Sequence, residues 1–274
     1  GTRTNCTRAY SLLELIEKGE LGDPYRYNAS NPTNGSYITA EYNVSIPQLG
    51  ANIGLHKYQA SYNHYYTLTK LHNTTLAGRA VIGLAQAFSA RNRFGTDPNL
   101  RDLNGLLPVT ERFFAGGSNT LRGFNFEEAG PRVVVVPEGT FRNSSGQIVT
   151  LDPFTIPFGG NALAIVNLEA RIPLTKTLRA VPFYDGGNVF RRIGDIFKPP
   201  QVPANDLLRR NLRALWTNTV GLGLRLKTPV GGELGVDVGY LLNPPQLLIP
   251  QGTAPPATYR LQQTQIHFRF AQAF

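Results

Sequence analysis

Thr217-Asn218-Thr219-Val220-Gly221-Leu222-Gly223-Leu224-Arg225-Leu226-Lys227 is the stretch that decides the fold. Its even positions Val220, Leu222, Leu224 and Leu226 are aliphatic, while Thr219, Gly221, Gly223, Arg225 and Lys227 are small, polar or charged. Period two is the mark of a strand with two unlike faces. After Thr228-Pro229 and a Gly231-Gly232 turn the pattern restarts. Leu234, Val236, Val238 and Tyr240 then oppose Glu233, Gly235, Asp237 and Gly239. The end of the chain repeats it, with Ile266, Phe268, Phe270 and Phe274 opposite Gln265, His267 and Arg269.

Earlier segments alternate in the same way. Ala162, Ala164, Val166, Leu168, Ala170 and Ile172 face away from Asn161, Asn167, Glu169 and Arg171. Ile38, Ala40, Tyr42, Val44 and Ile46 oppose Thr39, Glu41, Asn43 and Ser45. Tyr58, Ala60, Tyr62, Tyr66 and Leu68 oppose Lys57, Gln59, Ser61 and Asn63. Segments 76–88 and 178–190 are strand-like, and a short strand is expected to lead into Phe113-Phe114-Ala115-Gly116-Gly117. That makes nine strands. A tenth is possible at 10–17, where Leu12, Leu13, Leu15 and Ile16 fit a helix equally well.

Two environments produce such alternation: a soluble sandwich, with its polar face in bulk water, and an outer-membrane barrel, with its apolar face in lipid. Three features favour the barrel. The strands are about ten residues long, enough for a tilted strand to cross a bilayer, whereas soluble strands usually run about five or six. Ionised residues recur on the inward parity, at Glu169, Asp185, Arg225, Asp237 and Arg269, as suits a wet lumen. Connections alternate between tight (173–177, 228–232) and long (191–216, 243–262), the rhythm of short periplasmic turns and long outer loops. No boundary splits the 274 residues, so they read as one portion of a single barrel domain.

Composition agrees. Charged residues are 16%, aromatics 10%, and there are 28 Gly and 20 Pro. Disordered chains carry more charge and fewer aromatics. No apolar run approaches the about 18 residues of a transmembrane helix, and the N-terminus lacks the layout of a signal peptide. One cysteine, Cys6, rules out an internal disulfide. The chain contains no Met and begins at Gly1, so it is expected to be the C-terminal piece of something longer. The net charge of +9 is spread along the chain, and no nucleic-acid signature accompanies it.

Two motifs stand out. In 112–124 the tandem Gly116-Gly117 permits a constrained loop with Arg122 at its tip, between Leu121 and Gly123-Phe124. In 181–190, Asp185 shares the inward parity, as does Glu169 on the preceding strand. Two inward carboxylates invite a cation, and Arg122 is the candidate, since Arg meets carboxylates with a bidentate fork. An ordinary Gly-rich turn and two solvated lumen charges are the alternative that the residues alone leave open. Six Asn-x-Ser/Thr sequons, at Asn5, Asn28, Asn34, Asn43, Asn73 and Asn143, read as a polar surface. His56, His64 and His72 repeat every eight residues without metal-site spacing, and no catalytic constellation, metal motif or cofactor motif appears.

The 113–124 loop resembles the (V/L)RG(F/Y) signature of the BamA/TamA-type outer-membrane assembly factors, and 183–190 resembles their FxDxGxVx strand. Gly159-Gly160-Asn161-Ala162-Leu163, Asn167-Leu168-Glu169, the 228–231 turn and the Phe-containing terminal strand follow in the family's order, from Asn34 to Phe274. The resemblance implies a sixteen-stranded barrel in the outer membrane of a Gram-negative type bacterium. Its long loop folds into the lumen and is pinned by Arg122 on Glu169 and Asp185. It implies a non-enzymatic assembly or translocation factor. The barrel seam, marked here by Phe268, Phe270 and Phe274, would accept unfolded outer-membrane or secreted polypeptides, with periplasmic or lipoprotein accessory subunits. Departures are Leu121 in place of Val, a long 89–108 segment where the family has a periplasmic turn, too few strands to close, and no POTRA repeats. A two-partner secretion transporter, a passive pore and, more remotely, an outer-membrane hydrolase are the rival readings.

Overall fold

The structure, a computed structural model, describes residues 32–272 apart from 52, 89–106, 138, 140, 143, 150–151, 198–200, 203–205, 229–231 and 252–253. In chain order the strands are β1 (Gly35–Ser45), β2 (Leu55–Leu68), β3 (Thr74–Ala87), β4 (Arg132–Val135), β5 (Phe141–Arg142), β6 (Ile148–Val149), β7 (Phe154–Pro157), β8 (Ala162–Pro173), β9 (Leu178–Phe190), β10 (Thr217–Lys227), β11 (Gly232–Leu241), β12 (Gln246–Gln251), β13 (Ala254–Arg260) and β14 (Thr264–Gln272). Eight of them form one antiparallel sheet in the order β1-β2-β3-β8-β9-β10-β11-β14. The remaining six pair as three small two-stranded ribbons within the long connections. Two short helices, α1 (Gly194–Phe197) and α2 (Leu207–Asn211), lie between β9 and β10.

The sheet is not closed: β1 and β14 are its edges and have no further partner among the described residues. It is part of an outer-membrane-type barrel. The eight strands coincide with eight of the nine read from alternation. The ninth, leading into Phe113, is only a single bridge between Phe113 and Gly160. Pro108 opens a 3-10 turn there, and Gly116 and Gly117 then take φ of 121° and 93°, which no strand follows. The segment at 10–17 and Phe274 lie outside the described residues.

Register places the connections. Leu84 faces Ala162, and Ala162 faces Phe190, so the end of β3, the start of β8 and the end of β9 share one rim. Connections 46–54, 88–161, 191–216 and 242–263 all leave from that rim, and the short turns occupy the other. Most of the expected departure at 89–108 lies outside the described residues, but the ends of the connection that contains it, at Ala87 and Ala162, stand on the long-loop rim and not on the short-turn rim. That segment opens the long connection that also carries Arg122.

The outer face keeps the alternation: Val220, Leu222, Leu224, Leu226, Leu234, Val236, Val238 and Tyr240 are all exposed. The inner face is not the uniformly wet lumen that its charges suggested. Near the long-loop rim it is apolar. Leu121, Phe124, Phe113, Ala115 and Ala129 pack there against Val81, Leu163, Ile165, Val189 and Leu241. Burying side chains the size of Leu121 and Phe124 stabilises by about 1.5–3 kcal/mol each, so the loop is held as a packed plug. Further down, Asp185 and Asp237 are 0% exposed. These two carboxylates are desolvated and paired, Asp185 with Arg122 of the loop and Asp237 with Arg225 of the wall.

Candidate functional site

The loop tip is built by its own short-range bonds. A Cβ on Gly116 would stand 2.2 Å from the Asn125 carbonyl, so only glycine fits that fold-back. Thr120 Oγ1 accepts from the Gly116 N–H at 2.8 Å and donates to the Gly116 carbonyl at 3.0 Å. Gly117 N–H donates to Phe124 O, and Phe124 N–H to Leu121 O, closing a tight turn around Arg122.

Strand register prepares the receiving wall. Asn167 on β8 and Thr219 on β10 both stand opposite Asp185 on β9, and Glu169 stands opposite Phe183. These side chains share the inward parity. Arg122 enters among them. Its Nε donates to Asp185 Oδ2 at 2.8 Å and its Nη2 to Oδ1 at 2.6 Å. Its Nη1 donates to Glu169 Oε1 at 2.6 Å, and its backbone N–H donates to Asp185 Oδ2 at 3.0 Å. The guanidinium carbon sits 3.5 Å from the centre of the Phe183 ring, a cation–π contact that strengthens with desolvation. Burial alone would lower the Arg122 pKa, but the bonds to Asp185 and the charges of Asp185 and Glu169 outweigh it and hold the pKa above its ordinary value. The guanidinium is permanently charged.

Other groups complete the clamp. Asn167 Nδ2 donates both to Asp185 Oδ1 at 2.8 Å and to the Thr120 carbonyl at 2.6 Å. Arg171 Nε donates to the second oxygen of Glu169 at 3.1 Å. His267 on β14 donates from Nε2 to the Arg122 carbonyl at 3.0 Å. The tip thus touches β8, β9 and the edge strand β14 together.

Glycines hollow the wall to admit it. A Cβ on Gly239 would lie 2.4 Å from the Arg122 carbonyl oxygen, and one on Gly123 2.2 Å from Thr219 Oγ1. A Cβ on Gly221 would lie 2.2 Å from the Phe183 ring. Gly221, Phe183 and Arg122 are therefore stacked as three layers.

A second charge network lies toward the short-turn rim. Arg225 Nη2 donates to Asp237 Oδ1 at 2.7 Å and Oδ2 at 2.9 Å, and Arg269 approaches Asp237 Oδ2 at 3.5 Å. Arg179 pairs with Glu233. A Cβ on Gly223 would meet Asp237 Oδ1 at 2.1 Å, which again explains the glycine. Between this network and the loop tip is a cavity of ≈ 320 Å³ whose lining includes Ser118, Asn119, Glu169, Arg171, Arg179, Arg225, Glu233 and Arg269.

The structure brings Leu121, Arg122, Gly123, Phe124, Glu169 and Asp185 into one place. Phe268 and Phe270 are elsewhere, exposed on the outer face of β14. Sequence reasoning missed Phe183, Asn167, Thr219, Gly239 and His267. Their common inward parity was the available signal.

Residues 25–274 match the family model described as the Omp85 superfamily domain. Among solved structures, BamA from Haemophilus ducreyi lacking POTRA domains 1-3 is similar, with a TM-score of 0.53 and 18% identity. The match covers 88% of this chain and 39% of that one. At that identity the likeness is one of fold, and the chain spans about two fifths of the length of that structure. With an outward apolar face, a buried inward charge system and a match over nearly its whole length, this outer-membrane β-barrel chain belongs to the Omp85 superfamily.

Proposed function

We propose that the chain serves the insertion or translocation of polypeptides at the outer membrane, through a barrel whose shape is maintained by the Arg122 loop. Membership of the superfamily supports the general role. The observation that carries the specific one is the desolvated fork of Arg122 on Asp185, extended to Glu169. One loop residue ties β8 and β9 together, and its carbonyl holds the edge strand β14 through His267. The mechanism is physical rather than chemical. Among the described residues the outer edge of β14 has no partner strand, and an incoming strand adds there by β-augmentation. The pinned loop keeps the neighbouring wall in register while the edge is occupied. Phe268 and Phe270 present the lipid-facing side of that edge. The substrates are unfolded outer-membrane or secreted chains, and periplasmic or lipoprotein subunits act as accessories.

The test is the full-length protein with Arg122→Ala, reconstituted in vesicles and supplied with a urea-denatured barrel substrate. Insertion slowed about tenfold or more, equivalent to about 1.4 kcal/mol, with the variant barrel itself still folded, is expected. Insertion at the normal rate by folded Arg122→Ala protein contradicts the pinning role and favours a passive pore.

A further inference from the structure

Ala162 and Phe190 lie at the long-loop rim with outward parity: their inward neighbours Leu163 and Val189 pack in the plug. An outward residue at that height should meet lipid or headgroups. Instead Ala162 and Phe190 are buried, covered by Ala214 and Ile196 together with Leu84 and Ala164 of the wall itself. Leu84 and Ala164 share the outward parity, since they pair with Ala162 and Ile82 across β3 and β8. So α1 and the approach to β10 are laid against the outside of the wall and not over the lumen.

The exposed side of that segment is apolar. Phe197 is 85% exposed, and Ile193 and Leu215 are exposed beside it. Trp216, the single tryptophan of the chain, stands at the outward start of β10. A tryptophan at the end of a spanning strand occupies the aromatic belt of the membrane–water interface. Arg192 and Arg213, also exposed, flank the apolar side chains, and long basic side chains extend from such positions to headgroup phosphates. The segment packs through Ala162 and Phe190 onto the half-buried outward residues Leu84 and Ala164, beside the exposed Ile82, and this continuity with the lipid-facing wall identifies lipid as the occupant of the patch.

We infer that residues 191–197 and 213–216 form an interfacial anchor. The segment bends outward from the barrel and seats Ile193, Phe197, Leu215 and Trp216 at the headgroup boundary of the outer leaflet, at the roughly 5–10 Å depth of amphipathic surface elements. The anchor fixes the height of the β9 rim, the strand that bears Asp185, relative to the bilayer. It rests on the outer-membrane setting and not on the proposed insertion role.

The test uses the full-length protein carrying Cys6→Ser and Phe197→Cys, labelled with an environment-sensitive nitrobenzoxadiazole dye. Position 197 is so exposed that the label displaces no packed atom, and heat-modifiable mobility verifies folding. The protein is placed in phosphatidylcholine vesicles bearing a doxyl quencher on the headgroup, at carbon 5 or at carbon 12. The headgroup and carbon-5 quenchers are expected to reduce emission at least about twofold more than carbon 12, as the shallow depth of surface elements requires, with little quenching by aqueous iodide. Full iodide quenching without lipid quenching places the segment in water and overturns the anchor. Protection from iodide and from all three lipid quenchers means that a second protein surface covers it, which overturns the anchor equally.

Discussion

Arg122 and Asp185 lie 63 residues apart in the chain, yet they meet through two parallel N–H to oxygen bonds of 2.8 and 2.6 Å, with Asp185 fully removed from solvent. Burying one such charge without the other is expensive. Removing one partner of a buried pair costs about 3–5 kcal/mol. Asp185→Ala is expected to lower stability by that order, read as the urea midpoint of the folded barrel in vesicles. The double variant Arg122→Ala/Asp185→Ala should lose less than the sum of the two singles, because the orphaned charge is gone. Additive losses would show that the two side chains are not energetically coupled.

Arg122→Lys separates charge from shape. Lysine keeps the positive charge but loses the planar fork and the stacking on Phe183. It can satisfy Asp185 or Glu169, but not both in the same geometry. The expected loss is about 1.5–3 kcal/mol, the worth of one charge-assisted hydrogen bond. The loop should also become more accessible to trypsin, which cleaves after lysine as after arginine, at position 122. Protection equal to that of the unmodified protein would mean that charge alone seats the loop.

Gly239→Ala and Gly123→Ala distinguish two kinds of close approach. The first places a methyl 2.4 Å from a carbonyl oxygen, the second 2.2 Å from a threonine side chain. Thr219→Gly should therefore restore loop protection in Gly123→Ala and not in Gly239→Ala. Rescue of both would show that the wall shifts as a body to make room.

Asp237 tests the second network. Among the charged groups of the described residues, Arg225→Leu alone leaves the buried Asp237 only the more distant Arg269, at 3.5 Å, and Asp237→Leu alone leaves the buried Arg225 only Glu233, at 4.0 Å. The double Leu variant should be more stable than either single, since apolar replacement of a buried pair is often neutral. Unfolding midpoints in urea give the comparison. A double variant less stable than both singles would mean that Arg269 and Glu233 depend on the pair for their own positions.

Leu222→Arg tests the outer face. Leu222 is exposed on the lipid side of β10, where a basic residue near the bilayer midplane costs about 2–4 kcal/mol. A folding titration into vesicles should show a loss of that order. No loss would place Leu222 outside the hydrocarbon.

Alternation made the wall readable. Val220 to Leu226 and Leu234 to Tyr240 need only a two-residue period to assign their faces, and period two is local information. The same parity put Glu169 and Asp185 on one side and made Arg122 a candidate partner. It did not show that Leu163 and Ile165, also inward, sit in an apolar plug, because that depends on Leu121 and Phe124 arriving from a distant loop. Nor did it show that Ala162 and Phe190, outward by parity, are covered by Ala214 and Ile196. Parity tells which way a side chain points and not what has been laid over it. The glycines at 221, 223 and 239 were legible as small residues, but their purpose follows only from the atoms that fill the hollows.

The position of the Arg122 side chain also restricts the order of events during folding. Leu121, Arg122 and Phe124 are sealed between loop and wall, and the partners of Arg122 are 47 and 63 residues further along the chain. The site that receives the tip, with Asn167 beside Asp185, exists only once β8 and β9 have paired, so the tip docks and gives up its water after those two strands are in register. Contacts of such long sequence separation are slow to form, which makes capture of the tip the natural pacing step in building this half of the barrel.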